Sequence, residues 1–361
     1  MDLPTLTISA ANGWMNQEDR FSGNIAGKEQ KNYTLLHKGE LSYNHGNSKL
    51  AKYGTVFSLQ SYKEALVPRV YHSFKVEKGS PDFLEYYFAT KLPDRELGKL
   101  ISSGARMDGL LNIGYNEFMG IQMLFPSVEE QKQISNYFRS LEHLITLNQQ
   151  KLTLLTKLKK AMLEKMFPKK GSVIPEIRFN GFANAWEQRK LGDVCEVTMG
   201  QSPDGSTYSD EPSDYILVQG NADLKDGWVV PRVWTSQKTK TAQAGDLIMS
   251  VRAPVGAMGK TAYDIVIGRG VAAIKGNEFI YQTLVKYDAD GYWKKLAAGS
   301  TFESVNSNEV KGAIINVPQD IEEQKKIGEY FLNLDHLITL HQRKIDKIKN
   351  MKKAMLDQMF I

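Results

Sequence analysis

The sequence predicts an α/β (α+β) protein in which two small mixed domains alternate with two long helices. Three observations support this fold class: a long helical segment occurs twice, short strand and helix patterns lie between the copies, and 361 residues suit two domains. The segment 129–167 aligns without a gap with 322–360, and 22 of the 39 positions are identical. Such a repeat, with unlike sequence between its copies, indicates one task performed twice on two different objects.

The long helices have the pattern of a coiled coil. Apolar residues recur at alternating gaps of four and three, with a polar residue at matched positions of each copy. We predict that the two helices pair along a seam. The seam residues are Ile134, Phe138, Leu141, Ile145, Asn148, Leu152 and Leu155 in the first copy, and Ile327, Phe331, Leu334, Ile338, His341, Ile345 and Ile348 in the second. The alternative is that each helix serves only its own domain.

The regions between the helices repeat in outline. Gly39-Glu40-Leu41 matches Gly245-Asp246-Leu247, each at the start of a predicted strand. The middle segments diverge, which suits a common scaffold that carries different loops. The predicted parts are a first domain at 1–125, a helix and linker at 126–170, a second domain at 171–317 and a helix at 318–361.

The second half has an opening segment that the first half lacks. It starts at Pro175 and contains Phe179, Trp186 and Leu191. Extrapolating the repeat places its first-half counterpart upstream of Met1. We therefore expect the chain to begin inside a domain, so that the first domain is truncated at its N-terminus.

Composition narrows the class of protein. The net charge of +5 favours an anionic partner such as nucleic acid, although many other proteins are as basic. Cys195 is the only cysteine, which excludes an internal disulfide. No apolar run approaches the ~18 residues of a membrane span, and no signal-peptide pattern opens the chain. We expect a cytoplasmic protein.

The chain resembles the specificity subunit of type I restriction–modification systems. The resemblance rests on PEIRFNGFANAWEQRKLGDV at 175–194, on VPQDIEEQKKIGEYFLNLDHLI at 317–338 and on the order of the parts, and it covers nearly the whole chain. It implies a non-catalytic subunit in which two target-recognition domains read the halves of a bipartite DNA site. It also implies that the two long helices pair antiparallel and hold these domains apart.

The resemblance implies the partners as well. These are double-stranded DNA, two methyltransferase subunits, and restriction (translocase) subunits reached through the complex. S-adenosylmethionine, ATP and Mg²⁺ would be bound by partner subunits, so we expect no cofactor, metal site or catalytic residue on this chain. The alternative is a truncated remnant that scaffolds methyltransferase subunits and reads only one half-site.

Two motifs of nucleotide-binding enzymes are nearly present. The segment 256–261 resembles a phosphate-binding loop, but the required first glycine falls at Pro254. Gly268-Arg269-Gly270 resembles a dinucleotide fingerprint, but the sequence after it is too short for the required helix. We therefore expect neither nucleotide site. The family resemblance implies instead that the glycine-rich loop at 256–261 approaches DNA phosphate through its amides and Lys260.

The candidate DNA contacts are basic, amide-bearing or aromatic residues in predicted loops. For any one of them, a solvated surface position is the alternative interpretation. In the first domain they are Tyr43, Asn44, Lys49, Lys52, Tyr53, Arg69 and Arg106. In the second domain they are Gln219, Asn221, Lys238, Lys240, Arg252, Lys260, Arg269 and Thr301.

Overall fold

The chain divides into two compact units, each of which contains part of each long helix. The computed structural model describes residues 3–21, 32–46, 48–101, 109–297 and 303–360. Unit 1 comprises residues 1–147 and 345–361, and unit 2 comprises residues 148–344. The sequence predicted four parts with boundaries at the ends of the long helices, whereas the two units divide within those helices. The four-part division stays a prediction.

The described residues of unit 1 form seven strands and part of each long helix. Its strands are β1 (Leu6–Ser9), β2 (Gly13–Asn16), β3 (Thr34–His37), β4 (Leu41–Asn44), β5 (Thr55–Ser58), β6 (Glu64–Val67) and β7 (His72–Phe74). Its helices are α1 (Gln17–Phe21), α2 (Pro81–Ala89), α3 (Asp94–Lys99), α4 (Tyr115–Met119) and the first half of α5 (Val128–Met166).

The strands of unit 1 form small antiparallel sheets. β4 lies between β5 and β7, β3 pairs with β6, and β1 pairs with β2. α2 begins after Ser80, whose hydroxyl accepts a hydrogen bond from the amide of Phe83. This cap starts the helix so that Phe83 and Tyr86 face the core, where both are almost fully buried.

Unit 2 is richer in strands. They are β8 (Glu187–Lys190), β9 (Glu196–Met199), β10 (Tyr208–Ser209), β11 (Tyr215–Val218), β12 (Leu224–Lys225), β13 (Trp228–Val229), β14 (Trp234–Thr235), β15 (Thr241–Ala242), β16 (Leu247–Ser250), β17 (Met258–Lys260), β18 (Ile265–Ile267), β19 (Val271–Lys275) and β20 (Ile314–Val317). The helices are α6 (Leu191–Val194), α7 (Glu278–Ala289), α8 (Tyr292–Ala297), α9 (Ser307–Gly312) and the first part of α10 (Ile321–Met359), together with the second half of α5.

These strands form two larger sheets and a short ribbon. One sheet has the order β10-β14-β11-β18-β15, and the other has the order β12-β13-β17-β16-β19-β9. β8 pairs antiparallel with β20, which leads into α10. All four residues of β16 are buried because this strand is central in its sheet. Its apolar run is typical of a strand covered on both faces.

In unit 1, the first half of α5 packs against the last turns of α10. The ring of Phe360 stacks on Phe83 at 5.2 Å between centroids and lies 6.0 Å from the ring of Phe138. Lys352 forms an ion pair of 2.7 Å with Glu142. Along α5 from Phe138 to Glu142, the contacts move backward along α10 from Phe360 to Lys352. The two segments therefore run antiparallel.

Unit 2 contains the same set of contacts, made by the residues of the other copy. Phe167 stacks on Phe279 at 5.5 Å and lies 5.9 Å from Phe331. Lys159 forms an ion pair of 2.6 Å with Asp335. By the repeat, Phe167 and Lys159 of the first helix copy correspond to Phe360 and Lys352 of the second. The repeated sequence therefore builds a repeated packing arrangement.

Asn148 and His341 occupy the same position in the two copies, and they contact each other. The Nδ1 of His341 donates to the Oδ1 of Asn148 at 2.8 Å. In an antiparallel pair of equivalent helices, identical positions face each other at only one point. This hydrogen bond therefore fixes the register, as polar residues in coiled-coil seams do.

All the residues predicted for the seam are buried or half-buried. The heptad pattern did not reveal that other helices share the seam. In unit 1, Phe83, Tyr86 and Tyr87 of α2 belong to the same apolar cluster as Phe138 and Phe360. The mixed α/β fold class with antiparallel long helices is confirmed, while the list of seam residues stays a prediction.

Arg178 supplies a test of the packing in unit 2. Its guanidinium donates to both carboxylate oxygens of Glu323, at 2.5 and 2.7 Å, and that carboxylate is fully buried. Because removing the cation leaves a buried charge without its partner, we expect Arg178→Met to lower the free energy of unfolding by about 3–5 kcal/mol. The double change with Glu323→Leu should restore most of that loss. Urea unfolding of the three variants measures both effects.

The matched control is Arg189→Met, because the exposed Arg189 lies 3.7 Å from the exposed Glu187. We expect that variant to change stability by less than about 1 kcal/mol. Equal losses for Arg178→Met and Arg189→Met would contradict the packing described for Arg178.

Candidate nucleic-acid interface

A polar groove of about 440 Å³ lies on unit 2. It is formed by loops that follow β9, β11, β16 and β18. The groove brings together four residues that the sequence nominated as DNA contacts: Gln219, Asn221, Arg252 and Arg269. The other residues of its lining are Ser202, Pro203, Gly205, Tyr208, Gly220, Ala253 and Gly270.

The sheet topology explains why these loops meet. β11 is parallel to β18, with Val218 opposite Ile267, so both strands end at the same edge. β16 is antiparallel to β19, with Ser250 opposite Val271, so the end of β16 lies beside the start of β19. Because Gly268–Gly270 connects β18 of one sheet to β19 of the other, these strand ends meet, and loops separated in sequence converge there.

Glycine at position 270 allows the loops to approach closely. A side chain there would clash with the carbonyl oxygen of Gln219. The amide of Val251 also donates to the carbonyl of Gly270 at 2.9 Å, which ties the loop after β16 to the same turn. The groove therefore has a floor of closely packed backbone, from which the side chains of Gln219 and Arg252 project.

Asp223 holds the loop that carries Gln219 and Asn221. Its buried carboxylate accepts hydrogen bonds from the amides of Gln219 at 2.7 Å and Gly220 at 3.3 Å, and from Nε of Arg232 at 3.0 Å. The sequence reasoning missed this residue. Asp223 ends the short helical turn after Gly220, and the preference of aspartate for turns, where its carboxylate accepts from nearby amides, could have revealed it.

Arg252 and Arg269 are the exposed cations of the groove. Neither guanidinium forms an ion pair with any carboxylate in the part of the chain that the structure describes, whereas Arg232 pairs with Asp223. The loop of Arg252 is fixed by its carbonyl, which accepts from the hydroxyl of Ser250 at 2.9 Å. The amide of Arg269 donates to the hydroxyl of Ser202 at 3.2 Å. Ordered backbones thus present two guanidinium groups that are available to an anionic ligand.

Lys260 does not belong to this groove. It forms an ion pair of 2.9 Å with Glu278, and its side chain is only 12% exposed. The ammonium also lies 4.6 Å from the ring centre of Tyr281 and 5.1 Å from that of Trp228. We therefore correct the assignment of Lys260 to a DNA phosphate contact: its charge is neutralised inside unit 2.

Two further lysines predicted as DNA contacts in unit 2 are exposed outside the groove lining. Lys238 lies 5.9 Å from the ring centre of Tyr215, and Lys240 precedes β15. Thr301 and Arg106 lie outside the described residues.

In unit 1, the prediction that Tyr43 contacts DNA is wrong. Tyr43 is fully buried in β4, where its ring stacks on Phe118 at 4.3 Å and its hydroxyl donates to the carbonyl of Tyr53 at 2.6 Å. It packs in the core and cannot reach a base. Asn44 is half-buried, and its side chain accepts from the amide of Gly46 at 3.1 Å.

The remaining candidates of unit 1 lie in surface loops. Lys49, Lys52 and Arg69 are exposed, and Lys52 lies 5.2 Å from the ring centre of the half-buried Tyr53. His45 joins the two loops, because its Nε2 lies 2.9 Å from the carbonyl oxygen of Val70. The loop with Lys49 leaves the end of the central strand β4, as the loop of Arg252 leaves the end of β16 in unit 2.

The two enzyme-like motifs have other roles in the fold. Residues 258–260 form β17 where a phosphate loop would require a helix, and Gly268–Gly270 connects β18 directly to β19. Burial raises the pKa of the Cys195 thiol to about 11, which opposes formation of a nucleophilic thiolate. None of the described helices has the length and apolar character needed to cross a membrane.

Comparisons with known proteins identify the protein family to which the chain belongs. Residues 183–350 match the family model described as the type I restriction modification DNA specificity domain. That range includes every residue of the groove. The chain belongs to the family of type I restriction–modification specificity subunits, as its sequence motifs predicted.

Two relatives come from Methanocaldococcus jannaschii. The MjaX type I restriction enzyme specificity subunit is 30% identical over 265 residues, which cover 68% of this chain and 60% of that protein. The MjaVIII specificity subunit is 23% identical over 304 residues, covering 76% and 69%. The chain thus spans about three fifths of the length of the first of these relatives.

Two solved structures share the fold. One comes from a study of complex assembly and conformational transition of the type I system, with 23% identity, a TM-score of 0.52, and coverage of 90% of this chain and 82% of that chain. The other is the S subunit of a type I system from M. genitalium, with 13% identity, a TM-score of 0.59, and coverage of 91% and 84%.

Asp223→Ala tests how the groove is held. Because Gln219 and Gly220 lose the acceptor of their amide protons, we expect faster hydrogen exchange at both amides. The loss in stability should be about 1–3 kcal/mol. Exchange measured by NMR or mass spectrometry reports the first effect, and urea unfolding the second.

Asp210→Ala, at an exposed position of unit 2, serves as the control and should leave exchange at the groove unchanged. If Asp223→Ala likewise left the exchange of these amides at the parent rate, the positioning role would be refuted.

Proposed function

We propose that this chain is a non-catalytic DNA sequence-recognition subunit. It reads a bipartite DNA site and directs the methyltransferase and restriction subunits of a type I restriction–modification complex. The observation that carries the proposal is the groove of unit 2, where two guanidinium groups without carboxylate partners in the described chain stand beside two carboxamides. The match of this unit to a DNA specificity domain supports the same conclusion.

The chemistry of the groove suits base edges. An arginine can donate two hydrogen bonds to O6 and N7 of guanine, and asparagine or glutamine can bind N6 and N7 of adenine. Arg252 and Arg269 also suit phosphate, which fixes the register of the protein on DNA without reading sequence. We assign Gln219 and Asn221 to base contacts, because their loop is held rigidly by Asp223.

The second half-site is assigned to unit 1. Lys49 and Lys52 lie on the loop after β4, and Arg69 lies on a loop joined to it through His45. The loops differ in sequence from those of unit 2 although they leave equivalent strands. Different loops on one scaffold suit two different target sequences.

The partners follow from the family. We propose that two methyltransferase subunits bind the chain, one for each copy of the repeated helix, and that restriction subunits join through the complex. S-adenosylmethionine, ATP and Mg²⁺ are then bound by those subunits. Because the proposed substrate is cellular DNA, we place this activity in the cytoplasm.

Arg252→Ala and Arg269→Ala test the site. Once the cognate sequence has been found, each variant should weaken binding of that duplex by about tenfold or more, since a bidentate arginine contact contributes ~1–3 kcal/mol. Fluorescence anisotropy at several salt concentrations measures the affinity. A phosphate contact would also reduce the salt dependence by about one ion, whereas a base contact would relax specificity at one position.

Lys260→Met is the control for the loss of a positive charge on the same unit. Since Lys260 is neutralised by Glu278, its removal should leave the salt dependence of DNA binding unchanged in protein that remains folded. Parent-like affinity and salt dependence for both arginine variants would refute the assignment of this groove.

A further inference from the structure

In unit 2, a series of polar side chains connects the long helices to the sheet that contains β16 and β17. It starts at Lys159 of α5, whose ammonium lies 2.6 Å from the carboxylate of Asp335 in α10. Asp335 also accepts from the amide nitrogen of Gln282 in α7 at 2.8 Å, and that nitrogen donates to Glu278 at 2.9 Å. Glu278 pairs with Lys260 of β17 at 2.9 Å. We call these five residues the polar link of unit 2.

Gln282 is the centre of this polar link. Its side chain is fully buried, and the two hydrogens of its amide nitrogen serve two carboxylates. Turning the amide over would place its oxygen against both carboxylates, so its orientation is fixed. Lys159 and Lys260 balance the charges of Asp335 and Glu278. Because these four charged residues are half-buried, water and salt screen their contacts less than on an open surface.

The polar link adds direction to an interface that is otherwise apolar. Phe167, Phe279 and Phe331 hold α7 against the long helices. Burial of apolar surface is non-directional, whereas a hydrogen bond weakens when donor and acceptor are turned out of line. The polar link therefore opposes rotation of the sheet relative to the long helices.

β17 transmits this alignment to the groove. Lys260 lies opposite Leu247 at the start of β16. At the other end of the strand pair, the amide of Ser250 donates to the carbonyl of Ala257 at 2.8 Å. Arg252 follows the end of β16 and lines the groove. The strand pair that the polar link holds is therefore the one that presents Arg252.

Unit 1 contains an equivalent polar link made by different side chains. Lys352 of α10 pairs with Glu142 of α5 at 2.7 Å, and Arg139 of α5 donates to Glu142 at 3.1 Å. Arg139 also donates to Asp82 of α2 at 2.5 Å. The carboxylate of Asp82 accepts from the hydroxyl of Ser58 in β5 at 3.1 Å. The long helices, the short helix and the sheet are again connected.

The two polar links occupy equivalent positions. Ser58 lies opposite Leu41 as Lys260 lies opposite Leu247, and Leu41 matches Leu247 in the repeat. The helical positions also match, and the pairs are Glu142 with Asp335, Asp82 with Glu278 and Lys352 with Lys159. The cation beside the short helix comes from α5 in unit 1 and from the sheet in unit 2. Unlike side chains thus make the same connection, which indicates that both units need it.

We propose that the polar links fix the angle between each DNA-reading sheet and the long helices, and that this angle sets which gap between the half-sites is accepted. Gln282 and Lys260 are positioning residues that do not touch DNA. A half-site displaced by one base pair moves by about 3.4 Å along the duplex and turns around it, so a rigidly held sheet cannot follow it. The inference rests on the proposed function, because a gap exists only where two halves are read.

Gln282→Met tests the polar link, because methionine has a similar shape but donates no hydrogen bond. Both terminal ion pairs keep their partners, so the change cuts the connection and leaves the charges balanced. Fluorescence anisotropy compares binding of the full chain to the cognate duplex and to duplexes whose gap is one base pair longer or shorter. We expect the preference for the native gap to fall by about threefold or more, with the salt dependence unchanged.

Thr283→Val is the matched control. Thr283 is also buried, but its hydroxyl donates to the carbonyl of Phe279 within α7 and takes no part in the polar link. This variant should keep the gap preference of the parent even if it unfolds at a lower urea concentration. Lys260→Met cuts the polar link at its other end and should relax the preference, whereas Lys260→Arg should retain it. If Gln282→Met does not fold, this second pair of variants decides the test.

Hydrogen exchange in the free chain tests the positioning without DNA. Gln282→Met should speed exchange at residues 248–252 and 258–260, and Thr283→Val should not. Unchanged exchange in Gln282→Met would overturn the inference, whatever the chain binds.

The binding results separate the inference from the proposed function. A parent chain that binds every gap alike would contradict the proposed function, and control of the gap would fall with it. A gap-selective parent with an equally selective Gln282→Met would overturn the inference alone. Equal losses of selectivity in Gln282→Met and Thr283→Val would do the same, because general destabilisation would then explain both.

Discussion

Each unit depends on one aromatic contact that joins three helices. In unit 2, Phe167 near the end of α5 stacks on Phe279 of α7 and contacts Phe331 of α10. In unit 1, Phe360 makes the same contacts with Phe83 and Phe138. Aromatic rings in such clusters contribute large buried areas and preferred ring geometries. The end of one long helix, the start of the other and the short helix of the domain are thereby fixed together.

The position of the groove follows from this anchoring. α7 follows β19 directly, so fixing α7 against the long helices also fixes the sheet that contains β16 and β19. The strand ends of that sheet carry Arg252 and Gly270, and the parallel pair of β11 and β18 adds the loop of Gln219. Under the proposed function, a rigid frame that presents different loops in the two units lets one scaffold address two different sequences.

The sequence predicted the features that depend on periodicity and order. The heptad pattern predicted both long helices, and matched seam positions identified Asn148 and His341, which form the hydrogen bond of 2.8 Å. Residue type and predicted loop position also nominated Arg252 and Arg269, which the fold brings to one groove. The helices follow from local periodicity, and the candidate contacts follow from residue type. The repeat itself matched Asn148 with His341.

Features that depend on distant partners were not predictable in this way. Tyr43 was assigned to a loop although it lies on a strand whose first three residues are all buried. Lys260 was predicted to contact DNA because basic residues often bind phosphate. The sequence did not reveal that Glu278 forms an ion pair with it. The role of Asp223 was not predicted, because its carboxylate binds backbone amides such as that of Gln219, and residue types do not reveal such contacts. Such cases require the three-dimensional arrangement, since burial and pairing decide the role of a charged or aromatic side chain.

In the function that we propose, two unlike units each read one half of a divided DNA site. The most direct measurement is to co-express the chain with the methyltransferase subunit of its own system and map modified bases by single-molecule sequencing. We expect a split motif with a fixed gap between its two defined halves. A contiguous motif, or methylation without sequence preference, would contradict it.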